Sequence, residues 1–110
     1  MKYPEKKKTI TYLKKCKKKS ASLKFSYKNV HLLIQMIFTV KDLMKEYDEN
    51  RRTNGGLNQV VQTYNKELRE LVFAKTPSEI KENFYYTSRT FQSDLNYCLM
   101  VFGVDPFVNE

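Results

Sequence analysis

Between Tyr27 and Asp48 the apolar residues keep a regular rhythm: Val30, Leu33, Ile37, Val40, Met44 and Tyr47 follow one another at spacings of 3, 4, 3, 4 and 3. An α-helix turns once every 3.6 residues, so this spacing gathers all six onto one stripe. Leu32, Ile34, Met36, Phe38 and Leu43 widen the stripe until the early part of the segment is apolar almost all round. A helix of that kind belongs at the centre of a bundle rather than on its surface. The longest apolar run, Val30 to Val40, has 11 residues and contains His31 and Gln35. That is well short of the roughly 18–20 residues that cross a bilayer, and the run reads as a buried helix.

The rhythm breaks over Asp48–Gly56, where Asn54-Gly55-Gly56 is strong turn punctuation and one of the two glycines is expected at positive φ. A second stripe follows: Leu57, Val60, Val61, Tyr64, Leu68, Leu71 and Val72, opposite Lys66, Glu67, Arg69 and Glu70. Thr76-Pro77-Ser78-Glu79 then marks a helix start, with Thr76 as cap, Pro77 at the first helical position and Glu79 completing a capping box. The third stripe is Ile80, Phe84, Phe91, Leu95, Cys98, Leu99 and Phe102; Gly103 ends it and Pro106 prevents resumption. The pattern predicts an all-α fold, a small bundle of three main helices near 29–48, 57–74 and 77–102, with a basic N-terminal arm or short extra helix. The helices are expected to pack antiparallel around Val30, Leu33, Ile37, Val40, Val61, Leu68, Ile80, Phe84, Phe91 and Leu95.

Charge divides the chain. Residues 1–28 carry 11 lysines and one acid, Glu5, for a net +10, whereas residues 29–110 carry 9 Lys and Arg against 11 Asp and Glu, for a net −2. The division places a basic arm at 1–28 and a helical bundle at 29–110. Within the arm, Thr9 to Leu13 is β-branched and suits a short strand, while Ile10, Leu13 and Lys17 also fall at helical spacing. Repulsion between neighbouring lysines opposes an isolated helix. A short helix, or an arm that orders on a partner, fits best.

Such asymmetry points to a polyanion: nucleic acid first, an acidic protein surface second, an anionic membrane third. Lysines in series neutralise phosphates and release counterions without reading sequence. The candidate phosphate-binding residues are Lys14, Lys15, Lys17, Lys18, Lys19, Lys24 and Lys28, with Arg51 and Arg52 as a second patch. Tyr12, Phe25 and Tyr27 interleave with the lysines and could stack on bases, as could Tyr85, Tyr86 or Tyr97 on the flanks of the last helix. A solubilising tail and a nuclear address over Lys14–Lys19 remain open beside this reading.

Signals for catalysis are absent. The single histidine, His31, has no partner suggested by spacing and reads as structural. Cys16, Cys98 and His31 lack metal-ligand spacing, Gly55-Gly56 is not followed by the lysine and hydroxyl of a phosphate loop, and Asp48-Glu49 reads as a solvated helix end. The expectation is a protein without enzymatic activity, cofactor or metal. Two cysteines, with a disulfide between them not expected, and no apolar stretch close behind the charged N-terminus fit a reducing cytoplasmic setting, or the nucleus in a eukaryote.

The residues Asn54 to Asn65, NGGLNQVVQTYN, resemble the signature of plasmid mobilisation (MobC-type) accessory proteins. The matching positions are Leu57, Asn58, Gln59, Val60 and Asn65; Gly56 stands where the family has asparagine. The resemblance implies a helix opened by the motif, a loop and long helix after it, and an accessory role beside a relaxase at a transfer origin. The family's ribbon-helix-helix segment is not evident upstream, where only Thr9 to Leu13 could supply its strand. Two functions are therefore expected. The first is a non-catalytic accessory protein of a mobile element or phage, binding DNA or RNA, or a nucleoprotein complex, with weak sequence specificity. The alternative is a small helical interaction module, a complex subunit or inhibitor, whose basic arm docks on an acidic protein.

Overall fold

The computed structural model describes residues 6–51, 56–74 and 76–107, with the side chains of the same segments except 47–51, 56–61, 64 and 67. The described residues form four helices and no strand: α1 (Lys6–Ser22), α2 (Tyr27–Arg51), α3 (Gly56–Val72) and α4 (Pro77–Val101). The run Thr9–Leu13 is helical, so the strand reading of that segment is set aside. Gly56 opens α3, and Gly55, the other candidate for positive φ, lies outside the described residues.

Each helix runs antiparallel to the next in sequence. Tyr12 of α1 bonds Thr39 of α2, the Lys41 Nζ of α2 donates to the Asn65 Oδ1 of α3 at 3.2 Å, and the Asn83 Nδ2 of α4 donates to the Glu70 carbonyl of α3 at 3.2 Å. The circle closes between α4 and α1, which pack on each other as extensively as α2 does on α3. Ser20 meets Ser88 and Gln92 of α4, and Lys17, a turn earlier, reaches Pro106 beyond its end, so this pair is antiparallel too. The result is an up-down-up-down four-helix bundle in which α2 and α4 also touch across the diagonal.

The core contains the residues that the stripes singled out. Leu33, Ile37, Val40, Met44, Phe84, Phe91 and Leu95 are wholly enclosed, joined by Val30, Met36, Leu68, Leu71, Cys98, Leu99 and Phe102. Burying each such side chain contributes about 1.5–3 kcal/mol. Departures occur at the ends of elements. Ile80, in the first turn of α4, is half-buried against the core rather than within it, and Val72, the last residue of α3, faces solvent. Val61 lies outside the described side chains.

Both ends of α4 are closed as its sequence leads one to expect. Thr76 is extended (φ −119°, ψ 153°) and its Oγ1 accepts from the Glu79 amide at 3.2 Å, with Pro77 following where no amide is needed. At the far end Gly103 adopts φ +80°. The Val104 amide then donates to the Leu99 carbonyl at 2.9 Å and the Gly103 amide to the Met100 carbonyl at 2.9 Å, a Schellman arrangement that folds Val104 onto the core.

The basic N-terminal segment is the fourth wall of the bundle. Thr9, Leu13, Cys16 and Ser20, at steps of 4, 3 and 4, are all buried. Leu13 is the single large aliphatic on that face. Ser20 meets a similarly small residue on α4, Ser88, whose neighbour Thr87 is also buried. Small side chains let the two helices lie close, and packing against α4 supplies what an isolated lysine-rich helix lacks.

Candidate nucleic-acid interface

With four residues of α1 committed to the core, its remaining positions are fixed in direction. At 100° per residue, Lys7, Lys8, Lys14, Lys15, Lys18 and Lys19 fall within an arc of about 140° centred opposite the buried face. Lys7, Lys8, Lys15, Lys18 and Lys19 are exposed and Lys14 is half-buried. The ridge continues through the exposed Lys24 in the loop and Lys28 in the first turn of α2. No Asp or Glu interrupts the sequence between Lys6 and Lys41. A 17-residue helix is about 25 Å long, which spans roughly seven base-pair steps of a duplex.

Not every lysine singled out in the sequence belongs to the ridge. Lys17 points toward α4: its Nζ donates to the Pro106 carbonyl and lies 5.1 Å from the centre of the Phe107 ring. The ammonium is thus engaged by the turn that follows α4. Arg51 ends α2 with its side chain outside the described set, and Arg52 lies outside the described residues.

The aromatic residues divide as well. Tyr12 is half-buried between α1 and α2, where burial raises its phenol pKa and a hydrogen bond to Thr39 opposes that rise. Phe25 is turned inward, edge-on to Phe84 at 5.7 Å. Tyr27 is exposed, and so are Tyr85, Tyr86 and Tyr97. The loop joining α1 to α2 is built tightly. The Ser26 Oγ accepts from the Asn29 amide at 3.1 Å as the cap of α2, the Asn29 Nδ2 donates to the Lys24 carbonyl at 2.7 Å, and the Phe25 amide donates to the Tyr85 Oη at 3.2 Å. This last bond ties Tyr85 to the lysine-bearing loop. Sequence reasoning did not single out its neighbours Lys81 and Arg89, exposed one turn before and after it; the spacing of four on a helix was the available signal.

The two thiols elsewhere in the molecule are enclosed. Cys16 and Cys98 are buried free thiols, and burial raises the pKa of both, that of Cys98 to about 12 with the Asp94 charge adding to the effect. His31 is exposed on α2 rather than packed in the core. No described helix is long and apolar enough to cross a membrane. Comparison with protein-family models, curated proteins and solved structures finds no match to this chain.

Proposed function

We propose that the chain is a non-catalytic nucleic-acid-binding protein that holds phosphates along α1. One observation carries the reading. The buried face Thr9, Leu13, Cys16 and Ser20 locks the helix in rotation, so its lysines present a fixed ridge rather than a solvated tail. A preformed cationic helix binds a polyanion without first ordering itself, which lowers the entropic cost of association. Contacts of this kind give position and affinity, not sequence choice. The resemblance at Leu57, Asn58, Gln59, Val60 and Asn65 adds the proposal of an accessory role in a mobile element.

The deciding experiment is a binding titration on duplex and single-stranded oligonucleotides across salt concentrations. With about five phosphates neutralised, log affinity should fall against log salt with a slope near −4.5 on duplex and about −3.5 on single strands. No binding to either at low salt would refute the reading.

A second reading, an interaction module that docks on an acidic protein, has one observation in its favour. Tyr86, Tyr97, Met100 and Val101 are exposed along α4, a weakly polar strip on an otherwise charged surface. A stable oligomer without nucleic-acid affinity would favour it.

A further inference from the structure

At the end of the bundle where α1 joins α2, four aromatic rings form a connected cluster. Tyr27 meets Phe25 edge-on at 5.8 Å, Phe25 meets Phe84 at 5.7 Å, and Phe84 meets Tyr85 at 5.4 Å. The two inner rings belong to the core or pack against it. The two outer ones face water, Tyr27 58% and Tyr85 41% exposed. Edge-to-face contact from one side leaves ring surface on both tyrosines open to solvent. Tyr85 is held in place by the Phe25 amide, which donates to its Oη at 3.2 Å. Cations border the pair: Lys24 and Lys28 on either side of Tyr27, Lys81 and Arg89 one turn either side of Tyr85, all exposed, with Glu82 the acid on the same stretch of α4.

We infer that this end of the bundle is a stacking platform for unpaired bases, so that the preferred ligand is single-stranded nucleic acid whose backbone continues along the α1 ridge. The inference rests on the nucleic-acid reading above and narrows it. A duplex hides its base faces and offers only phosphates, which the ridge alone could hold. Rings held rigidly beside lysines are what a single strand can use and a duplex cannot, because every unpaired base has a face to stack while its phosphates need cations close by. DNA and RNA share this chemistry.

The test uses the full chain with four probes of equal length: oligothymidylate, oligouridylate, an abasic strand and a blunt duplex. Wild type should bind the two base-bearing strands more tightly than the abasic strand. Tyr27→Leu and Tyr85→Leu should each weaken the base-bearing strands by about 5- to 150-fold and leave the abasic strand and duplex unchanged. Tyr85→Phe keeps the ring, loses the acceptor and should stack as wild type does. A preference between thymidylate and uridylate names the source of the bases and supports the inference equally. Wild type holding the abasic strand as tightly as thymidylate would overturn the platform while leaving the lysine ridge intact, and this comparison needs no variant to fold. Failure to bind any of the four at low salt would overturn both.

Discussion

The Ser88 hydroxyl, buried on α4, donates a 3.2 Å hydrogen bond to the main-chain carbonyl of Ser20 in the last turn of α1. That carbonyl is among the four that a helix cannot satisfy from within. α4 thus caps α1 from the side, with the Gln92 Nε2 adding a longer bond of 3.4 Å to the same oxygen. Ser88→Ala removes the shorter one and should cost about 1 kcal/mol. In a domain of this size the melting temperature should fall by roughly 4–8 °C. An unchanged melting curve would show that the capping bond contributes nothing.

Leu13→Ala tests whether α1 is structural. Leu13 is fully enclosed, as is Ile37 at the centre of α2. Each alanine substitution should therefore destabilise the protein by about 2–5 kcal/mol. The measurement is the urea midpoint, read with the slope to check that unfolding remains two-state. A midpoint unmoved by Leu13→Ala, with Ile37→Ala strongly destabilising, would detach α1 from the bundle.

Removing lysines should separate binding from folding. Lys15, Lys18 and Lys19 are exposed and lie on the outward arc. Changing the three to glutamine should flatten the salt dependence on duplex DNA by about 2.7. Like charges four residues apart cost a helix about 0.2–0.5 kcal/mol per pair, so stability should hold or rise slightly. Lys17→Gln should behave differently. It should affect salt dependence least and lower stability, because its ammonium is bound to Pro106 and lies over Phe107.

Asp94 gives the protein a pH dependence of unusual sign. One carboxylate oxygen is buried without a hydrogen-bond partner among the described residues, and burial pushes the pKa from 3.8 to about 6. The native state therefore holds this proton when the unfolded chain has already lost it. Stability contributed by the group is present below about pH 4 and is lost as pH rises through 6. Asp94→Asn should flatten the stability profile across that window and leave the variant the more stable at neutral pH. A wild-type profile that rises between pH 4 and 6 by the same amount as the variant's would refute the assignment.

Both thiols should be inert in the folded protein. Cys16 and Cys98 are buried and protonated, and the thiolate is the nucleophile. A thiol reagent should react with them only at the rate of unfolding. Rapid reaction of one equivalent under native conditions would mean that a thiol is accessible.

Three helices were legible because each carries a dense stripe of large apolar side chains. Phe84, Phe91 and Leu95 announce their face of α4 without knowledge of what they touch, and Thr76 and Gly103 announce its ends. The first helix was ambiguous for a physical reason. Its buried face is Thr9, Leu13, Cys16 and Ser20, and three of these four are small or polar. Ser20 is buried where Ser88 lies opposite it, and that complementarity joins segments far apart in the chain. The same long-range packing divided the candidate site. Charge alone ranks Lys17 with Lys18, but once the buried face is known, Lys17 falls beside it and is taken up by Pro106, while Lys18 points outward. The loop contact between the Phe25 amide and Tyr85 spans 60 residues and leaves no local trace.

The pairing of the first helix with the last also orders the events of folding. The bond from Ser88 to Ser20 closes a loop of 68 residues, an entropic cost of about 3–4 kcal/mol beyond a constant term. Only four residues separate α2 from α3 in sequence, and that pair should form first. During synthesis the lysine ridge emerges early, but its partner face does not exist until α4 has left the ribosome, so the cationic surface takes its fixed shape only once all four helices are present. Pulse-labelling hydrogen exchange should find the amides of α1 protected after those of α2 and α3, and an α1 protected first would reverse the order.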